Sequence, residues 1–111
     1  MKLYLDTSSD NCVLRLDGAD YTYAFERGRM AVGILQFIHE KLQENHADWP
    51  DITEITCFAG PGSFTGLRIG ATIVNTLADQ LQIPLYDQYG TKHQVILPDY
   101  GRPANISAPR K

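Results

Sequence analysis

The segment that most restricts the fold lies in the middle of the chain. A strand-like run from Ile52 to Ala59, with Ile55, Cys57 and Phe58 as apolar members, enters the turn Gly60-Pro61-Gly62-Ser63-Phe64-Thr65-Gly66. A helix from Thr65 to Leu81 follows, and Pro84-Leu85-Tyr86 reads as a short strand beyond it. Strand, helix and strand in that order require a parallel pair joined by a right-handed crossover, so the chain is committed to the α/β class. A second helix, Met30 to His46, precedes this unit, and three strand-like runs open the chain: Lys2 to Leu5, Cys12 to Leu16 and Tyr21 to Phe25. Asp17-Gly18 between the second and third runs is a strong hairpin signal. The predicted order is βββαβαβ: a mixed five-stranded sheet with two main helices.

The chain has 111 residues, 43% of them apolar, enough for one domain with its own core. No apolar run approaches the ~20 residues of a membrane span, and Asp6 interrupts the start before a secretory signal could form. A net charge of −3 argues against an autonomous nucleic-acid binder. Cys12 and Cys57 lie inside strand-like runs without metal-ligand spacing and read as buried thiols of a reducing compartment. The domain is expected over residues 1–90. Residues 91–111 read as an extended tail, interrupted by Pro98, Pro103 and Pro109 and made basic by Arg102, Arg110 and Lys111.

The glycine turn suits an anion, because backbone N–H groups converge at a helix N-terminus. It is not a Walker A loop, since Leu67 follows Gly66 where that motif needs lysine. Nor is it a dinucleotide fingerprint, whose third glycine would come one residue earlier, although Asp87 lies about 20 residues on. Pro61 stands where a nucleophile elbow around Ser63 would need glycine. Gly62, Gly66 and Gly70 recur every four residues and form a flat ridge that a neighbouring element can approach closely. Arg68 sits in the first helical turn, where the helix dipole disfavours a cation, with no acid three or four residues on. It is expected to meet an anion from elsewhere: Asp6, a ligand or a partner. His39 and His46 share a helix side with Glu40 and Glu44 and read as a solvated face rather than a metal site.

Both helices show apolar arcs of roughly 160°, wider than the ~100° stripe needed to cover one sheet. The excess predicts a second neighbour for each helix.

Asp6-Thr7-Ser8-Ser9 near the start, the turn GPGSFTGLRIG (residues 60–70), and a helix ending before Ile83-Pro84-Leu85 together resemble the TsaB (YeaZ) family of tRNA threonylcarbamoyladenosine biosynthesis. The resemblance covers about Lys2 to Tyr86 and makes this chain a shortened, single-lobe member. It implies one actin-like, RNase H-like half. It also implies a cytoplasmic, non-catalytic scaffold that supports a TsaD-type subunit, with a TsaE-type ATPase in the assembly and tRNA reached indirectly. A homodimer is expected when the partner is absent. The implied interface is Met30, Ile34, Phe37 and Ile38 of the first helix with Leu67, Gly70, Ile73, Val74 and Leu77 of the second. A bulky charged residue at Gly70 or Ile34 is then expected to abolish pairing and leave the fold intact. The implied anion or nucleotide contacts are Asp6, Thr7, Ser8, Gly60, Gly62, Ser63, Thr65, Gly66 and Arg68. ATP or ADP is expected to be held only in a complex, not tightly by this chain alone. The alternative reading is a self-associating or nucleotide-binding module using the Gly60–Gly66 turn as its anion site. A protease is disfavoured, because Ser8, Ser9 and Ser63 have no readable base.

Overall fold

The computed structural model describes residues 1–24 and 30–99. The chain begins with a meander of β1 (Lys2–Asp6), β2 (Asn11–Leu16) and β3 (Ala19–Ala24). Alternation drives it: Leu3, Leu5, Cys12, Leu14 and Leu16 are buried, while the residues between them stay at least partly open. Asp17 and Gly18 both take positive φ, 48° and 90°, as a two-residue hairpin turn between right-twisted strands requires. Helix α1 (Met30–Glu44) then crosses to β4 (Glu54–Cys57) by way of a single 3-10 turn. Helix α2 (Phe64–Leu81) crosses to β5 (Leu85–Asp87), and β6 (Lys92–His93) returns beside it.

The sheet order is β3-β2-β1-β4-β5-β6, with β1, β4 and β5 parallel and the outer pairings antiparallel. The predicted class and element order are therefore observed, with one strand added: six rather than five. Lys92 pairs with Tyr86 and His93 with Leu85. A two-residue strand carries no readable alternation, which is why the sequence does not reveal it. The core also runs past residue 90. Ile96 is 2% exposed, and its backbone N–H and C=O are both bound by the Asn75 side chain, at 2.7 and 3.1 Å. The boundary expected at residue 90 shifts accordingly, while Arg102, Arg110 and Lys111 of the expected basic tail lie outside the described residues.

Both helices lie on one face of the sheet. Ile34, Phe37, Ile38 and Leu42 of α1 join Ala71, Ile73, Val74 and Ala78 of α2 in a single cluster with the inward residues of the strands. The wide apolar arcs are thus used within the chain: each helix covers the sheet and also touches the other helix. Tyr23 of β3 stacks on Phe37, with ring centroids 5.1 Å apart, and Lys41 lies over Tyr21, fixing α1 across the meander edge. Cys12 and Cys57 are free, and burial pushes both thiols up to about 12.

Candidate functional site

The carboxyl ends of β1 and β4 bring two loops together. Asp6-Thr7-Ser8 leaves β1, and the glycine turn leaves β4. The Thr7 hydroxyl donates to the Gly66 carbonyl at 2.6 Å, and the Ser63 N–H donates to the Ser8 carbonyl at 2.9 Å. The glycine ridge explains why they can lie so close. A Cβ at Gly66 would overlap the Thr7 carbonyl oxygen, one at Gly70 would overlap Thr7 Oγ1, and one at Gly62 would collide with Ser8. The neighbour that the ridge admits is this chain's own β1 loop, not another helix.

Most polar atoms here are already engaged. The Ser8 N–H and hydroxyl both donate to Asp6 Oδ1, at 2.8 and 2.6 Å. Ser63 is the N-cap of α2 and accepts from Gly66 N–H. Asp6, one of the three anions considered for Arg68, accepts from Ser8 and makes no ion pair with Arg68. Arg68 is exposed and makes no ion pair among the described residues. Thr65 is likewise exposed at the helix start. Gly60 takes φ +121° and is held from the far side: Gln88 accepts from Ala59 N–H at 3.0 Å and donates to the Gly60 carbonyl at 2.7 Å. Asp99 N–H closes on the Ala59 carbonyl at 2.6 Å. A cleft of about 160 Å³ remains beside this clamp, bordered by Gly60, Gln88, Tyr89, His93 and Leu97. Gln88 and Asn75 were not legible as site-building residues, because an amide that binds distant backbone leaves no periodic mark in the sequence.

Asp87, which stands where a dinucleotide fold would place its ribose-binding acid, caps a turn instead. One oxygen accepts from Tyr89 and Thr91 N–H, at 2.8 and 3.0 Å, and the other meets His93 Nε2 at 2.8 Å. The His93 hydrogen bond, helped by the two backbone donors, holds its carboxyl below the usual range. A lowered pKa means stability that is present above the unfolded carboxylate value of about 3.9 and fades as pH falls through the folded value. Urea unfolding of native and His93→Ala protein should differ at pH 6, and the gap should narrow below about pH 3.9. A gap independent of pH would contradict the assignment.

The residues expected at the interface occupy a different place. Ile34, Phe37, Ile38, Leu67, Ile73 and Val74 are at most 7% exposed, and Gly70 is buried. They hold the helices on the sheet. Leu77 is half-buried, and the Met30 side chain lies outside the described residues. A charged residue at Gly70 or Ile34 would therefore disrupt the fold itself. The outer side of α1 instead presents Val32 and Leu35, 51% and 37% exposed. The helical spacing could have shown this, since Val32 lies opposite the Ile34-Ile38 side. His39 stacks on Trp49 with ring centroids 5.5 Å apart and meets Asp48 at 3.3 Å.

Residues 29–87, more than half of the chain, match the family described as TsaD, tRNA N6-adenosine threonylcarbamoyltransferase. Two proteins named tRNA threonylcarbamoyladenosine biosynthesis protein TsaB are each 32% identical: over 85 residues in Buchnera aphidicola subsp. Baizongia pistaciae and over 87 in Bacillus subtilis. The alignments cover 74% and 75% of this chain and 38% of each relative. YeaZ from Pseudomonas aeruginosa has a similar structure, with a TM-score of 0.67 and 31% identity, covering 78% of this chain and 42% of that one. The chain thus spans about two fifths of the length of the proteins it matches. Its β1 loop, glycine turn and strand order, taken with these matches, place it in the TsaB (YeaZ) family of TsaD-like proteins, of which it covers one lobe.

Proposed function

We propose that this chain serves tRNA threonylcarbamoyladenosine biosynthesis as a non-catalytic, cytoplasmic subunit that docks on a TsaD-type partner. The observation that carries this reading is the outer surface of α1, where Val32 and Leu35 stand open beside buried Ile34. Exposed apolar side chains on a rigid helix suit a partner helix. On α2 the exposed positions Arg68, Thr72 and Thr76 recur every four residues and make one polar row on the helix. The relatives named for this pathway supply the biological setting.

ATP or ADP would be held only in a complex. The Thr7 and Ser8 hydroxyls already donate within the chain, so this lobe offers part of a cradle rather than a whole one. A TsaE-type ATPase would join the TsaD-type subunit, which would carry the contact to tRNA. A second reading, a nucleotide-binding module acting alone, rests on the exposed Arg68 beside the α2 N-terminus. Two measurements decide between them. Mixing with a TsaD-type subunit, read by light scattering and by tRNA-modifying activity, should give a heterodimer that supports modification. Calorimetric titration of the isolated chain with ADP should show no tight binding. Absence of a complex at tens of micromolar would reject the scaffold reading, and tight ADP binding by the chain alone would favour the second (a conventional concentration range for weak complexes).

A further inference from the structure

After β6 the chain returns along the flank of α2 to Ala59, just beyond the carboxyl end of β4. This return, residues 94–99, is thinly packed. Of its side chains only that of Ile96 is buried, while Val95 and Leu97 on either side of it are 54% and 77% exposed. Space lies on both sides of the segment. An open cavity of about 600 Å³ separates Gln94 and Val95 from the end of α2 at Gln82, and the cleft of about 160 Å³ separates Ile96 and Leu97 from Gln88 and Tyr89. His93 borders both.

Three separate fastenings hold the segment in place. Before it begins, His93 Nε2 meets Asp87 Oδ2 at 2.8 Å. At its middle, the Asn75 side chain accepts from the Ile96 N–H at 2.7 Å and donates to the Ile96 carbonyl at 3.1 Å. At its end, the Asp99 N–H donates to the Ala59 carbonyl at 2.6 Å. The end is pressed close, since a Cβ at Gly60 would overlap the Asp99 carbonyl oxygen. A segment with one buried side chain, point fastenings and room on both sides can leave with little repacking of the core, as a local opening unit does. We propose that residues 94–99 are a strap that opens as one unit, with Asn75 as its catch, and that the closed strap of this structure shuts the crevice beyond β4 and β5. Open α/β sheets take their ligands outside the carboxyl ends of the strands. The closed strap lays Asp99 on Gly60 at that end of the sheet. Opening joins the cleft to the larger cavity and frees one side of the glycine turn, while Gln88 still holds the Gly60 carbonyl. The device is independent of the α1 side proposed for the TsaD-type partner.

Hydrogen exchange read by NMR on native and Asn75→Ala protein tests the unit. The Asp99 amide lies three residues beyond the bonds that Asn75 makes, yet its exchange should speed about 10-fold or more together with that of Ile96. The Leu5 and Leu14 amides should keep their native rates. Ile96→Ala removes the buried side chain of the strap, should act in the same way, and carries the test if Asn75→Ala does not fold. Thiol labelling reads the crevice. Cys57 is buried and pairs in register with Asp87, which borders the cleft. Its labelling should speed in step with the Asp99 amide, while Cys12 in β2 stays slow. An Asp99 amide unchanged when Ile96 speeds up overturns the proposal, because the fastenings then act separately. So does a uniform rise across all amides, which would make the segment part of the global core, or a Cys57 that gains no access when the strap opens.

Discussion

Replacing Gly66 by alanine is expected to destabilise the protein by about 3 kcal/mol, although alanine is the better helix former. Two effects compete. Glycine in a helix costs about 1 kcal/mol relative to alanine, so propensity favours the change. Against this, the new Cβ would overlap the backbone carbonyl oxygen of Thr7, which is fixed by the end of β1 and cannot rotate aside. The loop and the helix must separate, which also opens the hydrogen bond from Thr7 Oγ1 to the Gly66 carbonyl. Overpacking of this kind costs about 1–3 kcal/mol or more, and the buried Thr7 hydroxyl left without its acceptor adds about 1–3 kcal/mol, so the steric effect wins. For a domain of this size the melting temperature should fall by roughly 10–20 °C. The three ridge positions should also rank. Gly70→Ala meets the Thr7 hydroxyl, a side-chain atom that can turn at the cost of its hydrogen bond, and should be milder. Gly62→Ala meets the Ser8 side chain and backbone at an exposed position and should be milder still. Thermal melts that show Gly66→Ala equal to or more stable than native protein would refute the close approach of the two loops.

This ridge also shows where sequence reasoning reaches and where it stops. Spacing by four marks a face that something approaches, and that inference needs only helical geometry. The identity of the approaching element does not follow from spacing, because Thr7 is 59 residues away from Gly66 in the chain. The same limit applies to Gln88 and Asn75, whose amides satisfy backbone groups of Ala59, Gly60 and Ile96. The strands and helices themselves were legible because each repeats its apolar signal over several residues. The β5–β6 return was not, since two residues are too few for a period. The wide arcs on the helices were read correctly as a surplus over one sheet, yet the second neighbour of each helix proved to be largely the other helix. A single amphipathic profile gives the width of a buried arc and not the owner of the surface that buries it.

That distinction becomes measurable at two adjacent residues. Ile34→Asp should unfold the protein, and Leu35→Asp should leave it folded while removing the contact with a TsaD-type subunit. Ile34 is 0% exposed and sits in the cluster formed by both helices and the sheet, where no cation lies among its buried companions. A carboxylate placed there must either stay charged in an apolar surrounding or take up a proton at neutral pH, and the cavity left by the lost side chain adds to the cost. A loss of about 5 kcal/mol or more is expected, comparable with the whole stability of a small domain. Leu35 is 37% exposed on the neighbouring side of the same turn. An aspartate there keeps its water, so the cost to folding should stay under about 1 kcal/mol. At a docked helix surface the same carboxylate would be stripped of water without a counter-charge, and pairing should weaken by a factor of about 100 or more. Circular dichroism reads the first effect and co-purification with the TsaD-type subunit the second. If Leu35→Asp still pairs with native strength, the partner does not sit on the outer side of α1, whatever the chain's role in the pathway.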